Sequence, residues 1–271
     1  LYEMLAAIIS SFIERAGVGG RVRCVGIGFA GLTDGGRGVV YFAPNIGRLS
    51  NIEIGSELET RLGLRVVVEN DANCAVLGEY WRGAARGASS VFMFTLGTGI
   101  GGGLVINGNL WRGQVGIAGE IGHTIIDVNG PRCACGNRGC LEALASGTAI
   151  IRDYRQRKRL KSTEPLTARQ VVLKAKRGDR IATSVVRHAG EALGIGIANV
   201  FNLINPELIL IGGGVSRAGN LLLGPAVAKA RDLVAPGVRK HLRVKRGRLG
   251  DDAGVLGAVY LGFIETGVEV S

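Results

Sequence analysis

The sequence predicts an α/β protein whose helices pack on mostly parallel sheets. Two observations carry this expectation. Apolar runs of strand length alternate with segments of helical period along the whole chain, and several of the strands close on glycine-rich turns. The 271 residues suit one large or two medium domains, and an apolar fraction of 46% supplies a sizeable core.

Taken in order, Leu5, Ala6, Ala7, Ile8, Ile9, Phe12 and Ile13 recur at helical spacing and predict an opening helix. Residues 22–29 (VRCVGIGF) read as a buried strand, residues 64–70 (LRVVVEN) as a second, and residues 72–81 (ANCAVLGEYW) as the helix that follows it. A shift in composition over residues 83–89 marks a hinge. The strands at 90–97 (SVFMFTLG) and 101–108 (GGGLVING) are joined by a glycine-rich turn. Helical segments then run to about Leu203, followed by a strand at 207–213 (ELILIGG), a helix at 221–233, a short basic strand and a last apolar helix at 253–265.

No stretch reaches the ~18 apolar residues that a membrane span needs. The nearest, residues 192–206, carries Asn199, Asn202, Asn205 and Pro206 and reads as a buried helix. The first residues show no basic segment followed by an apolar core and a cleavage site, so a cytoplasmic protein with reduced thiols is expected. The net charge of +11 is concentrated in residues 152–161 and 238–248. The first run holds a single aromatic, Tyr154, and the second none, and aromatics make up only 5% of the chain, so a solvated basic surface is expected in preference to a nucleic-acid site.

Two glycine patterns, Gly26, Gly28 and Gly31 and then Gly97, Gly99 and Gly102, imitate a dinucleotide fingerprint. That fingerprint needs a helix opening straight after the glycines, and here turns and strands follow. The dipeptide GK is absent, which excludes a P-loop. LGTGIGGG can instead turn tightly after a strand and offer the N–H groups of Gly97, Thr98 and Gly99, with the Thr98 hydroxyl, to a phosphate. Gly212, Gly213 and Gly214 in IGGGVS repeat that chemistry between a strand and a helix.

His123, Cys133, Cys135 and Cys140 form a Cys₃His set in a polar loop rich in glycine and arginine, which points to a closed, structural zinc site. Asn70 and Asp71 stand where an apolar strand gives way to a helix. An N-cap accounts for either one, but Glu120 and Glu142 would be held near the same zinc loop. Carboxylates and amides converging on a cleft suit a polyhydroxylated ligand, with one carboxylate as general base.

VGIGFAG, FAPN, VVVENDANCAVLGEYW, TLGTGIGGGLVINGNLWRG, AGEIGH, CACGNRGCLEALASG and LILIGGGVS together resemble the ROK family of sugar kinases and sugar-responsive repressors, most of all its glucokinase and hexokinase members. The resemblance implies an actin-like, ribonuclease-H-like fold of two α/β domains around a cleft for hexose and ATP with Mg²⁺. It implies an N-terminal domain at 1–88 completed by the helix at 253–266, and a C-terminal domain at 89–252 that carries the zinc loop 123–140. By the same resemblance Asp71 is the base that deprotonates the sugar 6-hydroxyl, and Asn70, Glu120, His123 and Glu142 contact the sugar. His123 and the three cysteines are the zinc ligands. Gly97, Thr98 and Gly99 match the second phosphate motif, Gly212, Gly213 and Gly214 match the adenosine-side motif, and a homo-oligomer is expected.

Two departures stand out. Ala30 takes the place of the usual proline beside the sugar, and the first phosphate loop, an Asp-x-Gly-Gly-Thr-like turn ahead of the VGIG strand, is not in the sequence. The N-terminal domain is therefore expected to be incomplete. A sugar-sensing regulator or a gene fragment is the alternative to an active hexokinase.

Overall fold

The computed structural model describes residues 1–43, 49–161 and 164–268. Pro44 and Asn45 of the FAPN segment lie outside them. Helix α1 (Tyr2–Ala16) ends at Gly17, whose left-handed conformation (φ 62°) turns the chain out of the helix. Strand β1 (Cys24–Phe29) pairs in parallel with β5 (Arg65–Asn70), opposing Phe29 to Asn70. Between them lie β2 (Leu32–Asp34), β3 (Val39–Ala43) and β4 (Leu49–Glu53), an antiparallel sheet of its own, and helix α2 (Ile54–Leu62). The sequence reading passed over these four elements. β2 is only three residues long and β4 reads LSNIE, so neither shows the apolar run or clean alternation by which a strand is recognised.

Helix α3 (Asp71–Arg82) leads to a second sheet built from β6 (Ser90–Leu96), β7 (Ile100–Ile106) and β8 (Asn109–Leu110). After the cysteine loop come α4 (Leu141–Ala145), α5 (Gly147–Lys158), α6 (Ala168–Lys176) and the long α7 (Arg180–Ile204). Strand β9 (Leu208–Gly212), α8 (Asn220–Leu233), β10 (Val244–Arg246) and α9 (Ala253–Thr266) complete the order. The five strands run β10-β9-β6-β7-β8. β9 is parallel to β6 and β10, but β7 is antiparallel to β6 and to β8. The expectation of mostly parallel sheets is thus corrected to mixed ones. Parallel neighbours need a long crossover, whereas the short Gly97–Thr98–Gly99 link between β6 and β7 permits only a hairpin.

Alternation along the central strands explains why they read as continuous apolar runs. Phe92, Phe94, Leu96, Ile209 and Ile211 face a core shared with Leu193, Ile197 and Phe201 of α7. Val91, Met93, Leu208 and Leu210 face the opposite side, where Val76 and Leu77 of α3 and Ala253 and Leu261 of α9 pack. Both faces are dry, as expected of strands between two helical layers. Each large side chain buried this way contributes about 1.5–3 kcal/mol. The β1–β5 pair is treated the same way: Val67 joins the α3 and α9 layer, while Val66 and Val68 meet Ile54 and Leu58 of α2, with Leu5 and Ile9 of α1 alongside. Helices α3 and α9 therefore fill the space between the two sheets. Trp81 of α3 stacks on Tyr260 of α9, with ring centroids 5.4 Å apart. The buried helix expected at 192–206 is the second half of α7. No helix among the described residues is long and apolar enough to cross a membrane.

Candidate active site

The site begins at the junction of β5 and α3. Asn70 is the N-cap of α3: its Oδ1 accepts from the N–H groups of Ala72 (2.8 Å) and Asn73 (3.2 Å). Its Nδ2 donates to the Gly31 carbonyl at 3.0 Å, which ties the Ala30–Gly31 turn to the start of the helix. Asp71 is the first helical residue, with only its Oδ1 drawn back to the Ala72 N–H (2.9 Å). The capping role therefore falls to Asn70, and the Asp71 carboxylate keeps an exposed edge. Protein still surrounds much of it, and this burial raises its pKa above the usual aspartate range, outweighing the backbone hydrogen bonds that lower it.

The glycine run of β7 serves this junction. A Cβ on Gly103 would lie 2.7 Å from the Ala72 carbonyl oxygen, so only glycine lets the first turn of α3 rest on β7. Gly101 admits the same turn, since a Cβ there would lie 3.0 Å from the Ala72 Cβ. The sequence places these glycines in the second strand of the pair, and a glycine inside a strand is the signal that another backbone comes close.

The cysteine loop forms the next part. His123, Cys133, Cys135 and Cys140 bring one ligand atom each to within 4.8 Å of one another. Cys135 Sγ and Cys140 Sγ are 3.7 Å apart, as are Cys133 Sγ and His123 Nδ1. A tetrahedron with metal–sulfur bonds of ~2.3 Å has edges of about 3.8 Å, so the donor set and its spacing fit zinc. All five cysteines are free thiols. On its other side, His123 Nε2 lies 3.9 Å from Glu120 Oε2. The pKa of Glu120 is raised first by burial and then by the nearby charges of Glu142 and Asp71, with His123 acting in the opposite sense. Asp71, Glu120, His123 and Glu142 thus share one electrostatic neighbourhood. Glu142 also reaches the residue after the Gly97–Thr98–Gly99 turn, its Oε2 accepting from the Ile100 N–H at 3.0 Å.

The two glycine turns lie side by side. β6 and β9 are parallel with Thr95 opposite Gly212, so both turns emerge at the carboxyl ends of adjacent strands, where α/β sheets bind ligands. Gly97, Thr98, Gly213 and Gly214 are exposed there. The helix expected straight after Gly214 is a short 3₁₀ turn, Gly214–Ala218, and α8 starts only at Asn220. Thr148, near the start of α5, fixes the first turn by donating its hydroxyl to the Thr98 carbonyl at 2.8 Å. From Thr148 a groove of about 450 Å³ runs along α5 past Ile151, Arg152 and Arg155. A smaller cavity of about 80 Å³ adjoins Gly212 and Gly213. The first basic run is the outer face of α5, and the second spans a 3₁₀ turn and β10.

A further pair escaped the sequence reading. Glu69, wholly buried, is bonded to Arg112 Nε at 2.6 Å. A charge next to last in an apolar strand was the only hint of it.

A family model described as ROK family matches residues 1–263. A glucokinase of Thermotoga maritima is 43% identical over 244 residues, which cover 86% of this chain and 77% of that protein. Among solved structures, a ROK hexokinase from Thermus thermophilus superposes with a TM-score of 0.83 at 35% identity, covering 99% of this chain and 87% of that one. A ROK family glucokinase from Streptomyces griseus, in complex with glucose and AMPPNP, gives 0.84 at 37% identity, over 96% of this chain and 88% of that one.

Proposed function

Because the chain belongs to the ROK family and shares the actin-like ATPase fold of its kinases, we propose that it transfers the γ-phosphoryl group of ATP to the 6-hydroxyl of glucose or a similar aldohexose. The observation that carries this reading is the division of labour at the start of α3: Asn70 caps the helix, and the Asp71 charge is left close enough to act on Glu120, as those of His123 and Glu142 do. Relatives 37–43% identical to this chain are glucokinases, and one structural neighbour was solved with glucose and AMPPNP.

In this mechanism the sugar lies between the start of α3 and the cysteine loop. Asn70, Glu120, His123 and Glu142 accept and donate hydrogen bonds to its hydroxyls. Asp71 takes the proton of the 6-hydroxyl as that oxygen attacks the γ-phosphorus, and its raised pKa makes it the stronger base. The backbone N–H groups of Gly97, Thr98 and Gly99 cradle the phosphates, and Gly212, Gly213 and Gly214 receive the adenosine side. Positioning of this kind supplies most of the catalysis in phosphoryl transfer. Mg²⁺ bound with ATP neutralises phosphate charge. Zinc, held by His123, Cys133, Cys135 and Cys140, would keep Glu120 and Glu142 in place without touching the phosphates.

We place the domain boundaries at 88/89 and 252/253 and the protein in the cytoplasm, where ATP is supplied. The test is glucose 6-phosphate formation from ATP, with mannose and N-acetylglucosamine as competing acceptors. Phosphorylation of glucose in preference to both supports the reading. Tight glucose binding with no product would instead favour a sugar-sensing regulator.

A further inference from the structure

Glu69 and Arg112 form the one ion pair among the described residues whose carboxylate has no solvent exposure. Glu69 Oε2 accepts from Arg112 Nε at 2.6 Å, while Oε1 accepts from the Asn70 N–H at 2.8 Å and from Asn73 Nδ2 at 2.9 Å. The carboxylate thus grips the backbone one residue before Asp71 and a side chain in the first turn of α3. Arg112 belongs to the other sheet's side of the molecule, just after β8, and opens the loop that ends at Glu120. Its carbonyl accepts from the Ala118 N–H at 2.9 Å, which closes that loop on itself, and Gly116 packs against Asp34 beside β2.

Such a pair is a poor stabilising device. Burying the Glu69 carboxylate completely and most of Arg112, whose side chain is 27% exposed, costs about as much as their attraction returns. What the pair does have is geometry: it joins the strand that delivers Asp71 to the loop that delivers Glu120. The buried Asn73 Oδ1, which has no hydrogen-bond partner, further marks this network as one arranged for position and not for stability.

We propose that Arg112 is a positioning residue: through the buried Glu69 carboxylate it holds the Asn70–Asp71 junction and the 111–119 loop in register, so that the base and Glu120 address the same sugar. This rests on the sugar-kinase reading. The pair acts on the acceptor side only, since nothing in it touches the turns at Gly97 or Gly212. Misplacing a reacting group by about 1 Å can cost ~10²-fold in rate.

The experiment compares Arg112→Ala, Arg112→Lys and the unaltered chain in steady-state assays with ATP and glucose, alongside glucose binding by calorimetry. Arg112→Ala should lower kcat by about 10²-fold and weaken glucose binding, with KM for ATP unchanged. Millimolar guanidinium ion should restore part of the lost rate, and Arg112→Lys should fall between the two. If Arg112→Ala does not fold, Glu69→Gln should give the same split between glucose and ATP. Equal losses for both substrates, loss only in proportion to unfolded protein, or no rescue by guanidinium would each overturn the proposal. An unaltered chain that binds glucose but makes no glucose 6-phosphate removes the kinase reading instead, and the glucose affinities then decide the role of Arg112.

Discussion

At Asn70 and Asp71, two adjacent polar side chains divide tasks that either could perform. The cap bonds satisfy Asn70, so replacing it with alanine removes helix stability, typically about 1 kcal/mol. Asp71→Asn should act differently: sugar binding stays largely intact while turnover falls by ~10²-fold or more, the usual scale for a lost general base. The pH dependence follows from the raised Asp71 pKa. The base works only when ionised, so kcat/KM should fall as pH drops through a value above the ordinary aspartate range. Stability runs the other way. The folded chain holds that proton more tightly than the unfolded one, so the contribution present below the unfolded pKa is lost as pH rises through the folded pKa. At neutral pH the ionised Asp71 is therefore a cost, and Asp71→Asn should melt no lower than the unaltered protein. A lower melting temperature with normal turnover would return Asp71 to a purely structural role.

Among the elements, the cysteine loop is the one that gathers a metal-ligand set, and on the zinc reading its shape depends on that ion. Its own pairings are short: Ile125 bridges to Cys140 and Arg132 to Arg138, and its backbone hydrogen bonds include Ile126 N–H to the Gly139 carbonyl (2.9 Å), Gly139 N–H to the Pro131 carbonyl (2.9 Å) and Cys133 N–H to the Asn137 carbonyl (2.8 Å). Metal bonds would supply the remaining restraint, since structural zinc contributes folding energy directly. Purified protein should carry about one zinc per chain, and Cys135→Ser should lower both zinc content and melting temperature, as read by elemental analysis and calorimetry. Gly139→Ala offers a test that leaves all four ligands in place. Gly139 has φ 71°, and a Cβ there would lie 1.5 Å from the Asp127 carbonyl oxygen. The loop must open to admit it, so zinc affinity should fall although no ligand has changed. Full stability of a zinc-free preparation would rule out a structural metal.

Over the whole molecule, α9 decides whether the two sheets share one body. The last helix of the chain lies on α3, and their backbones approach closely: a Cβ on Gly257 would stand 1.7 Å from the Cys74 carbonyl oxygen, and one on Gly78 would stand 2.1 Å from that of Ala253. Gly257→Val should therefore force the helices apart and cost about 3 kcal/mol or more, as overpacking does. Cys74 lies three residues from Asp71 in α3, so the change should lower the melting temperature and also reduce turnover in the protein that remains folded. A stable Gly257→Val variant would mean that α9 can slide on α3. The same packing makes α3 the shared element of the site, with Asp71 at one end and, at the other, Glu79 accepting from the Leu249 N–H at 2.7 Å, close to Gly212 and Gly213.

By itself the sequence determined most of what chemistry spells locally. Apolar period placed α1, β1, β5, α3, β6, β9, α8 and α9 within a few residues of their bounds, because each buries a face that the alternation of side chains already declares. Thiol spacing marked a metal loop, because four soft or borderline donors in a polar segment have few other uses. The tertiary structure decided what depends on segments distant in the chain. Only folding shows that Asn70 takes the cap and leaves Asp71 with an exposed edge, that the glycines of β7 admit α3, and that Glu69 meets Arg112 from 43 positions away. It also decided strand direction. A turn after β6 is legible in glycine, but whether the next strand runs parallel or antiparallel depends on how far the chain travels before it returns, and β2, β3 and β4 draw their burial from neighbours that no local pattern names.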